Sequence, residues 1–393
     1  MDQPLMQTSA TNTFACDICG LGMAVDIPAF HEFHRVTSDC RPWPSGGRLG
    51  VCNDCGGVQK PADAVFLREI DDIYSTYAIY HQGKGAEQAV FEQGSGLPVS
   101  RSSRLMETFR SHWDISKMGR MLDVGCGNGA MLRAFGHVAP AWTLAGTELN
   151  DKYRREVEAI PQTEPLHVCP VDQILGTFNI ITMIHVLEHI IHPVEFLASL
   201  LPKLSHGGVV LIEVPHYLEN PFELLIADHR SHFTAATLSL ALQKAGYEVV
   251  TVATDWIAKE LSVIARVAPH DRNAASESTA AAGKSVQREI EGTLDWLNRA
   301  VATARDLSRG TQIGLFGTSI AGTWLCSEIA DGVGFFVDED SNRIGATHMN
   351  RPVLSPPQLP PNTTVFVGLP PAIAAGVCQR LKTQDVKYWP PPA

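Results

Sequence analysis

Four cysteines stand in two pairs, Cys16-Asp17-Ile18-Cys19 and Cys52-Asn53-Asp54-Cys55, followed by Gly20 and Gly56. A CxxC turn closed by glycine points two thiolates at one centre, and two such turns complete a tetrahedral four-thiolate site. Every position is then filled by protein, so the expected ion is structural zinc. A redox role lacks the thioredoxin-like strand that would precede it. His31, His34 and Cys40 lie between the pairs at irregular spacing and read as bystanders. A second set of residues surrounds the stretch Met121 to Ala130, where an apolar run ends in Asp123 and Gly125, Gly127 and Gly129 alternate before a helical pattern. Such a loop lets a ligand lie against bare backbone at a helix N-terminus. A third set follows: His185, Glu188, His189 and His192 in one short run. Imidazoles beside carboxylates are the material of proton transfer near neutral pH.

The elements that position these residues follow from hydrophobic period and breakers. Residues 101–117 read as an amphipathic helix entering the glycine loop. A strand over 142–146 ends at Glu148, 25 positions after Asp123. A carboxylate at that strand tip is placed to accept hydrogen bonds from ribose hydroxyls. A helix over 152–160 and a third short strand over 166–169 lead to Asp172, where an adenine edge would sit. A fourth strand over 178–183 runs into His185 and Glu188, the place where ligands bind in open α/β sheets. HxxxH spacing of His185 and His189 offers two metal ligands on one helical face, but no third ligand is evident and Pro193 breaks the helix. The strand over 208–214 is a continuous apolar run suited to burial on both faces. Strands near 246–250 and 263–267 close this unit. Tyr74, Tyr77, Tyr80 and His81 precede it, either packing on its surface or lending a phenol to its cleft.

Residues 270–284 are small and polar, a linker pattern, and 285–307 form a long amphipathic helix. Strands over 311–316, 334–337 and 365–367, with Gly317 to Gly322 after the first and Asp338 after the second, form half of another nucleotide-type fold. The proline-rich stretch 351–361 and the terminal WPPPA read as loops or tail.

Asp123 to Gly129, Glu148 and the run His185 to Pro193 together resemble a class I S-adenosylmethionine-dependent methyltransferase. With the knuckle pair before them and the α/β tail after, the chain resembles the NDP-sugar C-methyltransferase family from Cys16 to about Leu381. These enzymes methylate a ring carbon of nucleotide-linked deoxy-ketosugars. The implied fold is α/β: a Rossmann-like class I methyltransferase core, an N-terminal four-cysteine zinc-binding module and a C-terminal Rossmann-like domain. The implied boundaries are a disordered tail at 1–13, zinc-binding residues 14–85, the methyltransferase domain at 86–268, a linker and helix at 269–308, and the substrate-side domain at 309–393. The resemblance assigns Asp123, Gly125, Cys126, Gly127, Asn128, Gly129, Glu148, Asp172 and His185 to S-adenosyl-L-methionine, and Cys16, Cys19, Cys52 and Cys55 to zinc. It assigns catalysis to His229, Asp228 and His189 with a tyrosine at Tyr77 or Tyr80. His229 suits the base that removes an α-proton, Asp228 its orientation, and His189 the enolate oxygen.

The chain departs from the family at one motif. The family's Tyr-His-Glu-His-x-x-Tyr-Phe is here Ile226-Ala227-Asp228-His229-Arg230-Ser231-His232-Phe233. Asp for Glu shortens the reach by one methylene, and the lost tyrosine and histidine remove polar contacts. An oxygen or nitrogen acceptor on another small metabolite therefore stands as an alternative, and so does a non-catalytic protein that keeps the cofactor fold.

Bulk properties set limits. The chain has 393 residues, 45% hydrophobic and 19% charged, with a formal net charge of −11. That balance describes an ordinary soluble protein of two or three domains and disfavours a nucleic-acid partner. No signal peptide or membrane-length apolar run is evident, so a cytoplasmic monomer or small homo-oligomer with no membrane partner is expected, its cysteines reduced. The expected partner is a small molecule, a nucleotide-linked sugar.

Overall fold

The computed structural model describes residues 13–77, 87, 89–91, 98–269 and 280–393. Its centre is a six-stranded sheet in the order Thr143–Thr147, Arg120–Val124, Phe178–Ile184, Leu204–Pro215, Glu260–Val267, Tyr247–Ala253. The first four strands are parallel, and the last two run antiparallel to their neighbours. Their interior positions are apolar on both faces, because helices cover both sides. Arg101–His112 and Ala130–Val138 pack on one face through Leu105, Phe109, Leu132 and Phe135. Pro193–Leu200 and Ala235–Lys244 pack on the other through Leu197, Leu200, Leu238 and Leu242. The Ala235–Lys244 helix starts at a capping box in which Thr234 and Thr237 satisfy each other's backbone donors.

The expected strand over 166–169 does not form. Only isolated bridges, Leu144 to Thr163 and Thr147 to His167, reach this segment. Pro165 and Pro170 bracket it, and a proline has no N–H to give the ladder. The opening helix is also shorter than expected, ending at His112 rather than residue 117.

The C-terminal unit holds a complete six-stranded sheet rather than half of one. Its order is Thr347–His348, Arg351–Leu354, Val333–Val337, Ile313–Phe316, Thr363–Phe366, Val386–Trp389. Arg351–Leu354 is a strand, not a loop, and the strand Val386–Trp389 takes in only the first residue of the terminal WPPPA. Pro352 is tolerated because it faces the short Thr347–His348 edge arm.

The N-terminal module is a small sheet of Thr13–Ala15, Met23–Asp26, Gly50–Cys52 and Val58–Gln59. Its fifth strand is Ser231–His232, borrowed from the segment that carries Asp228 and His229. The module, the Ala280–Leu307 helix and the C-terminal sheet share one hydrophobic core, with Phe30, Phe222, Trp296 and Trp324 in it. Among the described residues no helix is long and apolar enough to cross a membrane.

Candidate active site

A cavity of about 1400 Å³ opens where the three units meet. Gly125 and Glu148 line one end, His185, His189, Glu223 and His229 the middle, and Ser319, Ile320 and Arg343 the other end.

At the first end the chain turns through Gly125, Gly127 and Gly129 at φ of 67°, 53° and 83°, all left-handed. A Cβ on Gly125 would stand 2.6 Å from Val186 Cγ2, so the loop also needs glycine for space. Glu148 Oε1 accepts the Gly127 N–H at 2.5 Å, and its Oε2 accepts the Leu149 N–H at 3.1 Å. The carboxylate thus stands at the loop as expected. Asp123 lies beneath, 3% exposed, accepting Thr182 Oγ1 at 2.6 Å. Burial pushes its carboxyl up to about 7. Cys126 is buried with its thiol toward Gly146, and Asn128 Oδ1 accepts from Arg133, so both shape the loop. Asp172 is exposed and does not line the cavity; Val168, Cys169, Pro170 and Val171 line it instead.

His185 has a left-handed backbone at φ 55°, an unusual conformation for a side-chain-bearing residue. Its N–H donates to the Glu213 carbonyl at 2.9 Å. Arg101 Nη1 donates to His185 Nε2 at 2.5 Å, and Glu260 Oε2 lies 3.1 Å from the same nitrogen. Burial and then Arg101 push this imidazole down to about 3, so it is neutral. The ring is held in this network and lines the cavity.

The middle of the cavity brings imidazoles and carboxyl groups together. His189 and His229 face each other edge to face, ring centres 4.7 Å apart at 89°. His189 Nδ1 lies 3.0 Å from the Tyr74 hydroxyl, 3.1 Å from the Asp228 carbonyl and 3.6 Å from Asp228 Oδ2. Asp228 itself accepts the Ser38 N–H at 2.8 Å and the Ser38 hydroxyl at 2.5 Å. His229 Nδ1 lies 3.4 Å from Glu223 Oε2. Asp228 therefore sits against His189, and the carboxyl beside His229 is Glu223. His229 is 3% exposed, and burial, then His189, hold its imidazole well below the usual histidine range. It is a neutral imidazole with a ring nitrogen able to accept a proton.

Tyr74 is the phenol that meets His189, with Tyr77 beside it at 5.4 Å between ring centres and also lining the cavity. Tyr80 and His81 lie outside the described residues. Sequence reasoning did not single out Glu223, Ser38, Arg101, Glu213 or Glu260. Glu213 had a signal, since it interrupts an otherwise apolar strand and is 0% exposed.

Burial also pushes Glu213 and Glu223 up to about 7 and Glu260 up to about 8, from a usual value near 4.5. Their contribution to stability is fully present below about pH 4.5 and is lost as pH rises through 7 to 8. His185, His229 and His232 act in the opposite sense, favouring the fold above about pH 6.5 and losing that contribution as pH falls. Above pH 6.5 the carboxyl losses, to which Asp123 adds, outnumber the opposing lysines, Lys60 and Lys259, whose amines burial holds below the usual lysine range. The Tm of ligand-free protein is expected to fall by about a few degrees between pH 6.5 and 8.5, and Glu223→Gln to flatten the fall. A level Tm in wild type across that window contradicts the shifted carboxyls.

The four cysteines converge as expected. Cys16 and Cys55 sulfurs lie 3.6 Å apart, Cys19 and Cys52 sulfurs 3.7 Å, and all four within 4.8 Å of one another. A tetrahedron of ~2.3 Å zinc–sulfur bonds has edges of about 3.8 Å, so the spacing fits. Gly22 N–H donates to Cys19 Sγ at 3.2 Å and Gly57 N–H to Cys55 Sγ at 3.3 Å, as suits thiolates. His31 pairs with Asp26 and His34 with Glu328, so neither is a ligand here, and Cys40 lines the large cavity.

Residues 101–252 match the family model described as a methyltransferase domain. No curated protein matches the chain. Among solved structures, the mitomycin 7-O-methyltransferase MmcR is similar at 14% identity, over 52% of this chain and 60% of that one, with a TM-score of 0.40. An S-adenosylmethionine-dependent methyltransferase from Clostridium acetobutylicum ATCC 824 is similar at 10% identity, over 52% and 98%, with a TM-score of 0.36. The plantazolicin methyltransferase BpumL, solved with SAH, is similar at 13% identity, over 43% and 82%, with a TM-score of 0.36. The domain match falls on the segment that holds the glycine loop, Glu148 and His229, and this part of the chain is an S-adenosylmethionine-dependent methyltransferase domain.

Proposed function

We propose that the enzyme transfers a methyl group to a ring carbon of a nucleotide-linked deoxy-ketosugar, through an enolate. The observation that carries this reading is the cavity's second end. Gly317 to Gly322 forms a second glycine loop, whose Thr318 N–H and hydroxyl donate to Asp338 at 3.2 and 3.0 Å. A Cβ on Gly322 would stand 2.0 Å from the Gly317 carbonyl, so the turn needs glycine. Ser319 and Arg343 of this unit line the same cavity as Gly125 and Glu148. Two nucleotide-type loops facing one space, with histidines between them, suit a methyl donor at one end and a nucleotide-bearing acceptor at the other.

S-adenosylmethionine supplies an electrophilic methyl group on a sulfonium. Gly125, Gly127 and Glu148 would hold its nucleoside portion. His229 takes the acceptor's α-proton on its free ring nitrogen while Glu223 steadies the imidazolium through Nδ1. With its Nδ1–H given to the Asp228 carbonyl, His189 holds the Tyr74 hydroxyl so that Tyr74 and Tyr77 donate to the enolate oxygen, and Ser38 fixes Asp228. Buried Ile226 and Ala227 withdraw the family's polar groups from this wall, which leaves an oxygen or nitrogen acceptor as the second reading. Turnover with labelled methyl donor across keto-sugar nucleotides, followed by product NMR, separates them. A new C–CH3 signal is expected; an O- or N-methyl product discards the first reading.

The four-thiolate site is proposed to hold one structural zinc ion. Metal analysis of purified protein should give one zinc per chain, and Cys52→Ser should lose it together with most of the thermal stability of the N-terminal module. Substoichiometric zinc in freshly purified protein contradicts this.

A further inference from the structure

Lys60 follows the Val58–Gln59 strand of the N-terminal module and is 1% exposed. Its backbone N–H donates to the Arg230 carbonyl at 2.9 Å. Its Nζ donates to the His229 carbonyl at 2.8 Å and meets His232 Nε2 at 3.0 Å. Burial of an amino group is unfavourable unless its hydrogens are bonded, and a methionine would fill the same volume without that penalty. Both groups that the amine touches belong to the strip that carries Asp228 and His229.

The rest of the strip is held from the same side. Ala227 N–H donates to the Val36 carbonyl at 2.7 Å. Gln59 Nε2 donates to the Ser231 hydroxyl at 3.0 Å. The buried Arg230 guanidinium pairs with Asp17, which sits inside the Cys16–Cys19 knuckle.

We propose that Lys60 is a positioning residue of the acceptor site: by holding the His229 carbonyl and the His232 ring, it fixes the backbone from which the His229 imidazole projects between Glu223 and His189. The proposal rests on the assignment of His229 to proton transfer. A carbonyl and a side chain on one Cα move together, so rotation of the His229 peptide swings the imidazole out of line. A shift of about 1 Å at a reacting group is enough to cost about 100-fold in rate.

The test uses full-length, metal-loaded protein with Lys60→Met and Lys60→Gln. Lys60→Met should lower kcat by roughly 10- to 100-fold, with the Kd for S-adenosylmethionine and the metal content unchanged. Lys60→Gln keeps one N–H for the His229 carbonyl and should fall between Lys60→Met and wild type. Nitrogen-15 histidine NMR, with peaks assigned through His232→Gln and His229→Gln, should show the His229 and His232 ring signals displaced in Lys60→Met. A kcat within twofold of wild type, or unmoved His229 signals, overturns the proposal. If Lys60→Met does not fold, Lys60→Gln decides by the same measurements. If wild type methylates no keto-sugar nucleotide, the function proposed above fails separately, and the NMR displacement alone decides whether Lys60 sets the His229 geometry.

Discussion

His229→Ala lowers kcat by roughly 10²- to 10⁴-fold while leaving S-adenosylmethionine binding intact. The two halves of this expectation come from different parts of the cavity. His229 is held against Glu223 and His189, and the polar contacts at its ring belong to the acceptor half. Gly125 and Glu148, the donor end, take no hydrogen bond from it. Its neutral imidazole, kept so by burial, is already in the basic form at neutral pH, so proton removal needs no prior deprotonation. Alanine removes that acceptor and leaves Glu223 without the imidazole beside it. Acceptor incubated in D2O with wild type should exchange its α-hydrogen, and with His229→Ala it should not. Full turnover by His229→Ala, or exchange at the wild-type rate, removes His229 from the reaction. Glu223→Gln should keep donor binding and lose less rate than His229→Ala, because it disturbs the base without deleting it.

The glycine loop and the carboxylate beside it were legible in sequence because their signals are local. Alternating glycines after an apolar run, and an acid at the tip of the next strand, each need only a short window. The histidine end is assembled largely over long range. Ser38 reaches Asp228 across 190 positions, and Lys60 reaches His229 across 169. No period or motif links such pairs. Tyr74 was named with Tyr77, Tyr80 and His81 as a phenol that could enter the cleft, but the resemblance pointed to Tyr77 or Tyr80, and only the fold shows that the Tyr74 hydroxyl meets His189. The strand expected at 166–169 failed on prolines, and the strand at Arg351–Leu354 was hidden by one. In both cases the outcome depended on where the missing N–H falls within a sheet, which only the pairing reveals. The pairing of Asp228 with His189 rather than His229 is a similar case, since Ala227 and Asp228 form a turn before the Ser231–His232 strand and sequence does not say which way each side chain leaves it.

Glu148→Ala is expected to weaken S-adenosylmethionine binding by about 100-fold or more, with little change in acceptor affinity. A hydrogen bond to an ionised group contributes ~1.5–3 kcal/mol, and two ribose hydroxyls on one carboxylate give roughly twice that. The same oxygens hold the Gly127 and Leu149 N–H groups, so the substitution also releases the glycine loop it braces. Glu148→Gln separates the two effects. The amide keeps one oxygen for a backbone N–H, so the loop stays in place, while the other position becomes a donor and serves the ribose less well. Calorimetric titration should therefore rank wild type above Glu148→Gln and Glu148→Ala last. Gly125→Val gives an independent check, since its side chain would collide with Val186 and strain a left-handed backbone, closing the same end without touching the carboxylate. If Glu148→Ala binds the donor as wild type does, the carboxylate serves only the loop and the ribose lies elsewhere. If it loses the donor while His229→Ala retains it, the two ends of the cavity act as separate binding and proton-transfer sites, as their separate hydrogen-bond networks require.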